Sequence, residues 1–130
     1  GHVAYTMAKF GMSMCTLGMS AEFAADGIAV NSLWPLTAID TAAVRNLLGG
    51  AGVAAMSRSP EIMADAAHAV LTRPARATTG NFFIDEEVLR EEGVSDLSRY
   101  APGAKGPLAG DFFVPDEVFA RTDTKVAGLF

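Results

Sequence analysis

A tyrosine and a lysine, Tyr5 and Lys9, lie four positions apart near the start of the chain, in the stretch HVAYTMAKFGMSMC. On an α-helix, side chains four residues apart share one face, so the phenol and the ammonium can approach each other. A phenol has an ordinary pKa near 10, and a neighbouring positive charge lowers that pKa. The pair is therefore a candidate for general acid–base catalysis, in which Tyr5 exchanges a proton with a substrate oxygen. Taken alone, the spacing fits a solvated helix face better.

The residues around this pair predict a long helix that positions it. From Tyr5 to about Ala25 the chain contains no proline and is rich in alanine, methionine and leucine, and Gly27 then supplies a helix-ending residue. Cys15, within this helix, is interpreted as a small core residue. Small side chains along the helix allow a second helix to approach closely: Ala8, Gly11, Ser13 and Gly18.

Two short apolar runs, residues 28–34 and 81–84, predict buried strands, because they are short and glycine or proline lies close to them. Helices are predicted at 41–48, 60–71 and 86–92. A strand, a long helical connection and a second strand predict a parallel pair. Parallel strands this apolar need neighbours on both edges and helices on both faces, so the fold class is α/β, the C-terminal portion of a larger doubly wound parallel sheet.

The chain is predicted to have two parts. Residues 1–93 carry the predicted strands and helices and form the half-domain. Glycine, proline and polar residues dominate from Ser95 onward, around one apolar group at 112–115, so residues 94–130 are interpreted as an ordered or half-ordered C-terminal tail.

Composition excludes several classes of function. The formal net charge of -5 argues against a nucleic-acid partner, which needs a basic surface. No apolar run approaches the roughly 18 residues of a membrane span. A single cysteine favours a reduced, cytoplasmic setting.

The remaining titratable residues indicate no second site. His2 and His68 are isolated, and no group of Cys, His and Asp has the spacing of a metal centre. The acidic pairs Glu86–Glu87 and Glu91–Glu92 are interpreted as a solvated helix face.

The succession of motifs changes the interpretation of the Tyr–Lys pair. After it come DGIAVNSLWP, a threonine-containing loop, SPEIMADAAHAVL and TGNFFIDEE. This succession resembles the short-chain dehydrogenase/reductase family, whose fold is Rossmann-like, with Asn31 and Pro35 matching its Asn-x-x-x-Pro step. YTMAKFGMSMCTLGMSAEF, NSLWPLTAIDTAA, GNFFIDEEVLREEGV and DFFVPDEVF further resemble its hydroxysteroid-dehydrogenase-like branch.

The resemblance implies a reaction and a cofactor. The expected reaction is hydride transfer between NAD or NADP and a small alcohol or ketone, possibly lipid-like. Tyr5 is then the acid–base group, and Lys9 binds the nicotinamide ribose and lowers the pKa of Tyr5. Trp34 either lines the substrate pocket or packs at the strand end, and Leu36 is a second candidate for the pocket.

The resemblance also assigns the loop after the first strand to the cofactor. Pro35 opens this loop, the backbone of Ile39 contacts the nicotinamide carboxamide, and Thr41 contacts the carboxamide or the pyrophosphate. Most family members have a glycine after this proline, and the Ile-x-Thr pair here lies one residue further on. Thr37 is therefore an alternative hydroxyl for the same role.

Three family features do not occur in this sequence: the glycine-rich pyrophosphate turn, the catalytic serine shortly before the tyrosine, and the helix asparagine of the usual catalytic tetrad. We therefore expect the chain by itself to be catalytically inert. The alternative is a non-catalytic module, a homo-oligomer formed through the Tyr5–Ala25 helix and the last strand.

Overall fold

The computed structural model describes residues 2–128. The first helix, α1 (Val3–Glu22), carries Tyr5 and Lys9 and begins two residues before the predicted start. Turns follow it to Gly27, which adopts φ 73°. The positive φ favours glycine here. A Cβ atom at this position would lie 2.8 Å from the Arg76 guanidinium, which would have to shift.

Two strands form a parallel pair, as predicted: β1 (Ser32–Trp34) and β2 (Phe82–Ile84), with Ser32 opposite Phe82 and Trp34 opposite Ile84. β1 is shorter than the predicted run 28–34. The residues before it make hydrogen bonds that involve side chains: Val30 N–H donates to Thr79 Oγ1 at 3.0 Å, and the Asn31 side-chain amide donates to the backbone carbonyl of Thr78 at 2.9 Å.

Helices occupy the three predicted segments between and after these strands, and a further helix over residues 50–54 was not predicted from the sequence. They are α2 (Ala42–Leu47), α3 (Gly50–Ala54), α4 (Glu61–Leu71) and α5 (Asp85–Glu91). The C-terminal segment contains a 3-10 turn (Ser98–Tyr100), β3 (Leu108–Ala109), α6 (Asp116–Phe119) and β4 (Val126–Ala127). β3 and β4 form a second parallel pair.

Two buried apolar clusters connect the segments on either side of residue 94. In the first, Leu97 and Tyr100 pack against α4 and α5. In the second, Val114 and Val118 pack against Leu36 and Ile84. Residues 94–128 therefore contribute to the core, and the division into two domains at 93/94 stays a prediction.

Glu86 is not on a solvated face, as the sequence suggested, but in the interior. Its carboxylate pairs with Arg58 Nη2 at 2.5 Å, and both side chains are 2% exposed. Thr122 and Thr124, from the C-terminal segment, also donate to it. Burial opposes the charge, but these hydrogen bonds and the Arg58 guanidinium outweigh it, so the pKa of Glu86 lies below its usual value.

The other three acids of that predicted face lie nearer the surface. Glu87 pairs with Arg121, and Glu91 and Glu92 both pair with Arg73. The wrong prediction for Glu86 thus has a tertiary cause, which is that residues 122–124 cover this one position of α5.

Cys15 is exposed, contrary to the prediction that it is a core residue. α1 is buried through its polar side, where Ser13 and Thr16 are enclosed and the Thr16 hydroxyl lies 2.7 Å from the Ser32 hydroxyl. Large apolar residues of the helix are exposed instead: Met7, Met12, Met14 and Leu17. Among the residues described, these four side chains are 50–70% exposed.

The buried ion pair predicts an asymmetric stability effect. Glu86→Ala leaves the Arg58 charge without its carboxylate, and we expect it to lower the free energy of unfolding by about 3–5 kcal/mol. The double variant Arg58→Met/Glu86→Leu should lose less than Glu86→Ala, because no unpaired charge remains. Urea unfolding measures both values.

Arg45→Ala is the matched control for this experiment, since it breaks an ion pair with Asp40 whose arginine is 63% exposed. We expect little change, because solvent screens that pair. A double variant as unstable as Glu86→Ala would contradict the assignment of the loss to an unpaired buried charge.

Candidate active site

A cavity of about 310 Å³ lies between α1, the end of β1 and the C-terminal segment. Four of the residues predicted from the sequence line it: Tyr5, Lys9, Trp34 and Pro35. α1 contributes the first two because residues four apart share a helix face. β1 contributes Trp34 as its last residue, and Pro35 follows directly.

Tyr5 and Lys9 are in contact within this cavity. The Lys9 ammonium lies over the Tyr5 ring, 5.6 Å from its centroid. The phenol is 45% exposed. This arrangement is a cation–π contact, in which the charge faces the ring.

The C-terminal segment adds two residues that the motif analysis did not assign to the site, Asp111 and Phe113. The Phe113 ring stacks on Tyr5, with centroids 5.7 Å apart and planes 15° from parallel. It also makes edge contacts with Phe10 and Trp34. The available signal was the aromatic pair after an acid in an otherwise polar tail, but nothing local indicated what it would contact.

The pKa of Tyr5 is raised, not lowered as the resemblance implied. Burial is the larger cause, and the negative charge of Asp111 adds to it. Asp111 itself has a raised pKa because it is buried, although the Phe113 N–H and the Lys9 charge act in the opposite direction. The cavity thus holds one positive and one negative side chain beside the phenol.

Leu36 does not line this cavity, contrary to its assignment as a pocket residue. It is 1% exposed and packs in the second apolar cluster. Its N–H donates to Asp85 Oδ1 at 2.8 Å, which turns the chain inward directly after Pro35.

The other predicted cofactor residues lie further along the same loop, outside the lining of this cavity. Thr37 is fully buried, and its hydroxyl donates to Ala38 O at 3.4 Å. Ile39 forms an isolated β-bridge with Arg58. Thr41 caps α2, where its hydroxyl accepts from Val44 N–H. The structure therefore brings together Tyr5, Lys9 and Pro35, and leaves Thr37, Ile39 and Thr41 apart from them.

Asp85 determines where this loop begins. Its Oδ1 accepts hydrogen bonds from the backbone N–H groups of Leu36 and Glu86, at 2.8 and 2.7 Å. The side chain is fully buried, and Oδ2 has no partner among the described residues. Burial raises the pKa of Asp85 to about 6, against the backbone donors and Arg58, which lower it.

Among residues 2–128, no group of three or more His, Cys, Asp or Glu side chains is arranged to hold a metal ion. A search of the same residues for a helix both long enough and apolar enough to cross a membrane finds none.

Curated relatives match most of this chain. "Hydroxysteroid dehydrogenase-like protein 2" of Xenopus tropicalis is 56% identical over 115 residues, which is 88% of this chain and 27% of the relative. The protein of the same name from Rattus norvegicus is 52% identical over 126 residues, 95% of this chain and 24% of the relative. The chain therefore spans about a quarter of the length of these relatives. No family model matches the chain.

Two solved structures share the fold. A protein from Xanthomonas campestris, assigned by name as a dehydrogenase, superposes with TM-score 0.77 and 51% identity, over 87% of this chain and 41% of its own. A short chain dehydrogenase from Mycobacterium thermoresistibile gives TM-score 0.72 and 50% identity, over 85% of this chain and 39% of its own. The predicted α/β fold class, part of a Rossmann-like parallel sheet, is confirmed.

The Asp85 carboxyl predicts a pH-dependent contribution to stability. Its pKa is higher in the folded state than in the unfolded chain, so the folded state binds more protons and stability falls as pH rises from about 4 to about 6. Asp85→Asn keeps the Oδ1 acceptor but does not titrate. The unfolding free energy of the parent minus that of the variant should be about 1 kcal/mol larger at about pH 5 than at about pH 7.5.

Chemical unfolding at the two pH values measures this difference. Asp26→Asn, which removes an exposed aspartate at the far end of α1, is the control and should show no such change. A parent-minus-variant difference that is the same at both pH values would contradict a raised pKa at Asp85.

Proposed function

We propose that this chain, which belongs to the short-chain dehydrogenase/reductase family, carries the proton-transfer part of an NAD(P)-dependent oxidoreductase site for an alcohol or a ketone. One observation carries the proposal. Tyr5 and Lys9, one helical turn apart, line the same cavity as Pro35 at the end of β1. In a parallel α/β sheet, ligands bind at this carboxyl end of the strands.

The residues present fit part of a nicotinamide cofactor. When bound, NAD or NADP supplies or accepts the hydride. Lys9 offers an ammonium for ribose hydroxyls, and Pro35 opens the adjoining loop. Ile39 and Thr41 remain candidates on that loop for the carboxamide and the pyrophosphate. Thr37 is not retained, because its hydroxyl is buried and bonded to Ala38 O.

Tyr5 performs the proton transfer in this proposal. Its hydroxyl donates a proton to a ketone oxygen, or its phenolate removes one from an alcohol. The aromatic rings of Trp34 and Phe113 and the side chains of Met12 and Leu33 make much of the cavity wall apolar. This lining supports an apolar, lipid-like alcohol or ketone as substrate.

A chimera tests the proposal. The matching 41% of the Xanthomonas campestris protein is replaced by this chain, and ketone-dependent oxidation of NADH and NADPH is measured by absorbance. We expect activity in the chimera, and a loss of roughly 10²–10⁴-fold on Tyr5→Phe, because the proton donor is removed. The chain by itself should oxidise neither cofactor.

Thr6→Val, on the same helix turn but outside the cavity lining, is the control and should retain activity. An active chimera that is insensitive to Tyr5→Phe would reject Tyr5 as the acid–base group. Activity in the chain alone would reject the requirement for further residues.

The second candidate, a cytoplasmic homo-oligomerisation module, is favoured by a different observation. Met14 and Leu17 of α1 and Phe82 of β2 are 66%, 50% and 45% exposed and line one apolar groove. The helix and the last predicted strand of the half-domain thus present a continuous apolar surface. Apolar surfaces of this kind mark contact sites between proteins.

Sedimentation of the chain tests this candidate. If the groove is a self-association surface, Met14→Glu should shift an oligomer to monomer, because it places a charge in the contact. Leu71→Glu, at an 83% exposed position at the end of α4, is the control and should leave the assembly unchanged. A parent chain that is monomeric at all concentrations would reject the module.

A further inference from the structure

Two hydrogen bonds to backbone groups hold Asp111 in the wall of the cavity that contains Tyr5 and Lys9. Its N–H donates to Leu36 O at 2.9 Å, and its Oδ1 accepts from Phe113 N–H at 3.2 Å. An aspartate that accepts from the backbone two residues on forms a local turn that fixes its side chain. The carboxylate therefore has a defined position in the cavity wall, although it lies more than 100 residues after Lys9 in the sequence.

The charges around the phenol come from two elements. α1 contributes Lys9, and the C-terminal segment contributes Asp111. Residues lining the cavity from β1 and its flanks are neutral: Asn31, Ser32, Leu33, Trp34 and Pro35. A positive neighbour favours the phenolate and a negative neighbour the neutral phenol, so these two charges act in opposite directions. Burial is the larger cause of the raised pKa of Tyr5, and Asp111 adds to it.

We propose that Asp111 is a positioning residue that offsets Lys9 and keeps Tyr5 protonated, so that the site is set to donate a proton in ketone reduction. This inference rests on the proposed function. Two further observations agree with it: Asp111 raises the pKa of Tyr5, and the stacked Phe113 ring removes one face of the phenol from solvent.

The proton and electron balance defines the direction. The Tyr5 O–H bond breaks, and its proton goes to the substrate oxygen. The C=O π pair goes to the oxygen that takes this proton. The new C–H bond at the carbonyl carbon forms with a hydride whose C–H bond to the reduced nicotinamide breaks, so the ketone is reduced and the nicotinamide oxidised. The phenolate then regains a proton from water.

The ionisation of Tyr5 can be measured in the chain itself. The chain has two tyrosines, Tyr5 and Tyr100, so subtracting the phenolate absorbance of Tyr5→Phe from that of the parent isolates Tyr5. Asp111→Asn keeps the Oδ1 acceptor for Phe113 but removes the charge. We expect the Tyr5 ionisation midpoint to fall to lower pH, measured against Tyr5→Phe in the same background.

Asp26→Asn is the matched control, since it removes the same charge beyond the other end of α1, whose axis extends about 25 Å from Tyr5 to Glu22. At moderate salt this distance exceeds the screening length, so we expect no change in the midpoint. Adding salt should lower the Tyr5 midpoint in the parent more than in Asp111→Asn, a response that a purely structural role of Asp111 would not produce.

The chimera gives a second readout. Ketone reduction needs the protonated phenol, so its rate falls as pH rises through the pKa of Tyr5. In Asp111→Asn this fall should begin at lower pH. Trp34, the one tryptophan of the chain, lines the cavity, and its unchanged fluorescence would show that the variant keeps the pocket.

The proposed role of Asp111 is overturned if Asp111→Asn changes the Tyr5 ionisation midpoint no more than Asp26→Asn does, or if it raises that midpoint. That result is independent of the Tyr5→Phe loss in the chimera, which tests the proposed function. An inactive chimera with a lowered Tyr5 midpoint would instead support the electrostatic coupling and count against ketone reduction.

Discussion

The backbone of Leu36 is the point on which the site depends. Its N–H donates to the buried Asp85 carboxylate, and its carbonyl accepts from Asp111 N–H. Its side chain packs in the apolar cluster with Ile84, Val114 and Val118. One residue thereby joins the loop after β1, the start of α5 and the C-terminal segment, and so sets how far Asp111 and Phe113 lie from α1.

This junction stabilises the site at an electrostatic cost. A buried carboxylate is unfavourable unless its oxygens are hydrogen-bonded, and only one oxygen of Asp85 has partners among the described residues. Those partners are backbone groups that burial would otherwise leave unsatisfied. Burial of Asp85 therefore costs solvation free energy, but its hydrogen bonds fix the start of the loop after β1. The Arg58–Glu86 pair is also buried and hydrogen-bonded. Thr122 and Thr124 donate to Glu86 and thereby link the C-terminal segment to α5.

The site combines a local arrangement with a long-range one. Helix geometry places the Lys9 ammonium over the Tyr5 ring. The folded chain then places a carboxylate and a phenyl ring against the same pair. These additions reverse the effect expected on the phenol, because burial and a negative charge both favour its neutral form. Family resemblance is the basis for proposing Tyr5 as the acid–base residue, whereas its protonation depends on what surrounds it in this chain.

Features that depend only on neighbouring residues follow from the sequence. The Tyr5–Lys9 spacing, the end of the α1 region at Gly27 and the parallel β1–β2 pair all follow from periodicity and helix-ending residues. Only the tertiary structure decided the burial of Glu86 and Leu36, the exposure of Cys15 and the presence of Asp111 in the site. For Glu86, Leu36 and Asp111, the deciding contacts join residues 28–75 positions apart. Local patterns carry no information about such contacts, because they arise only once the chain has packed.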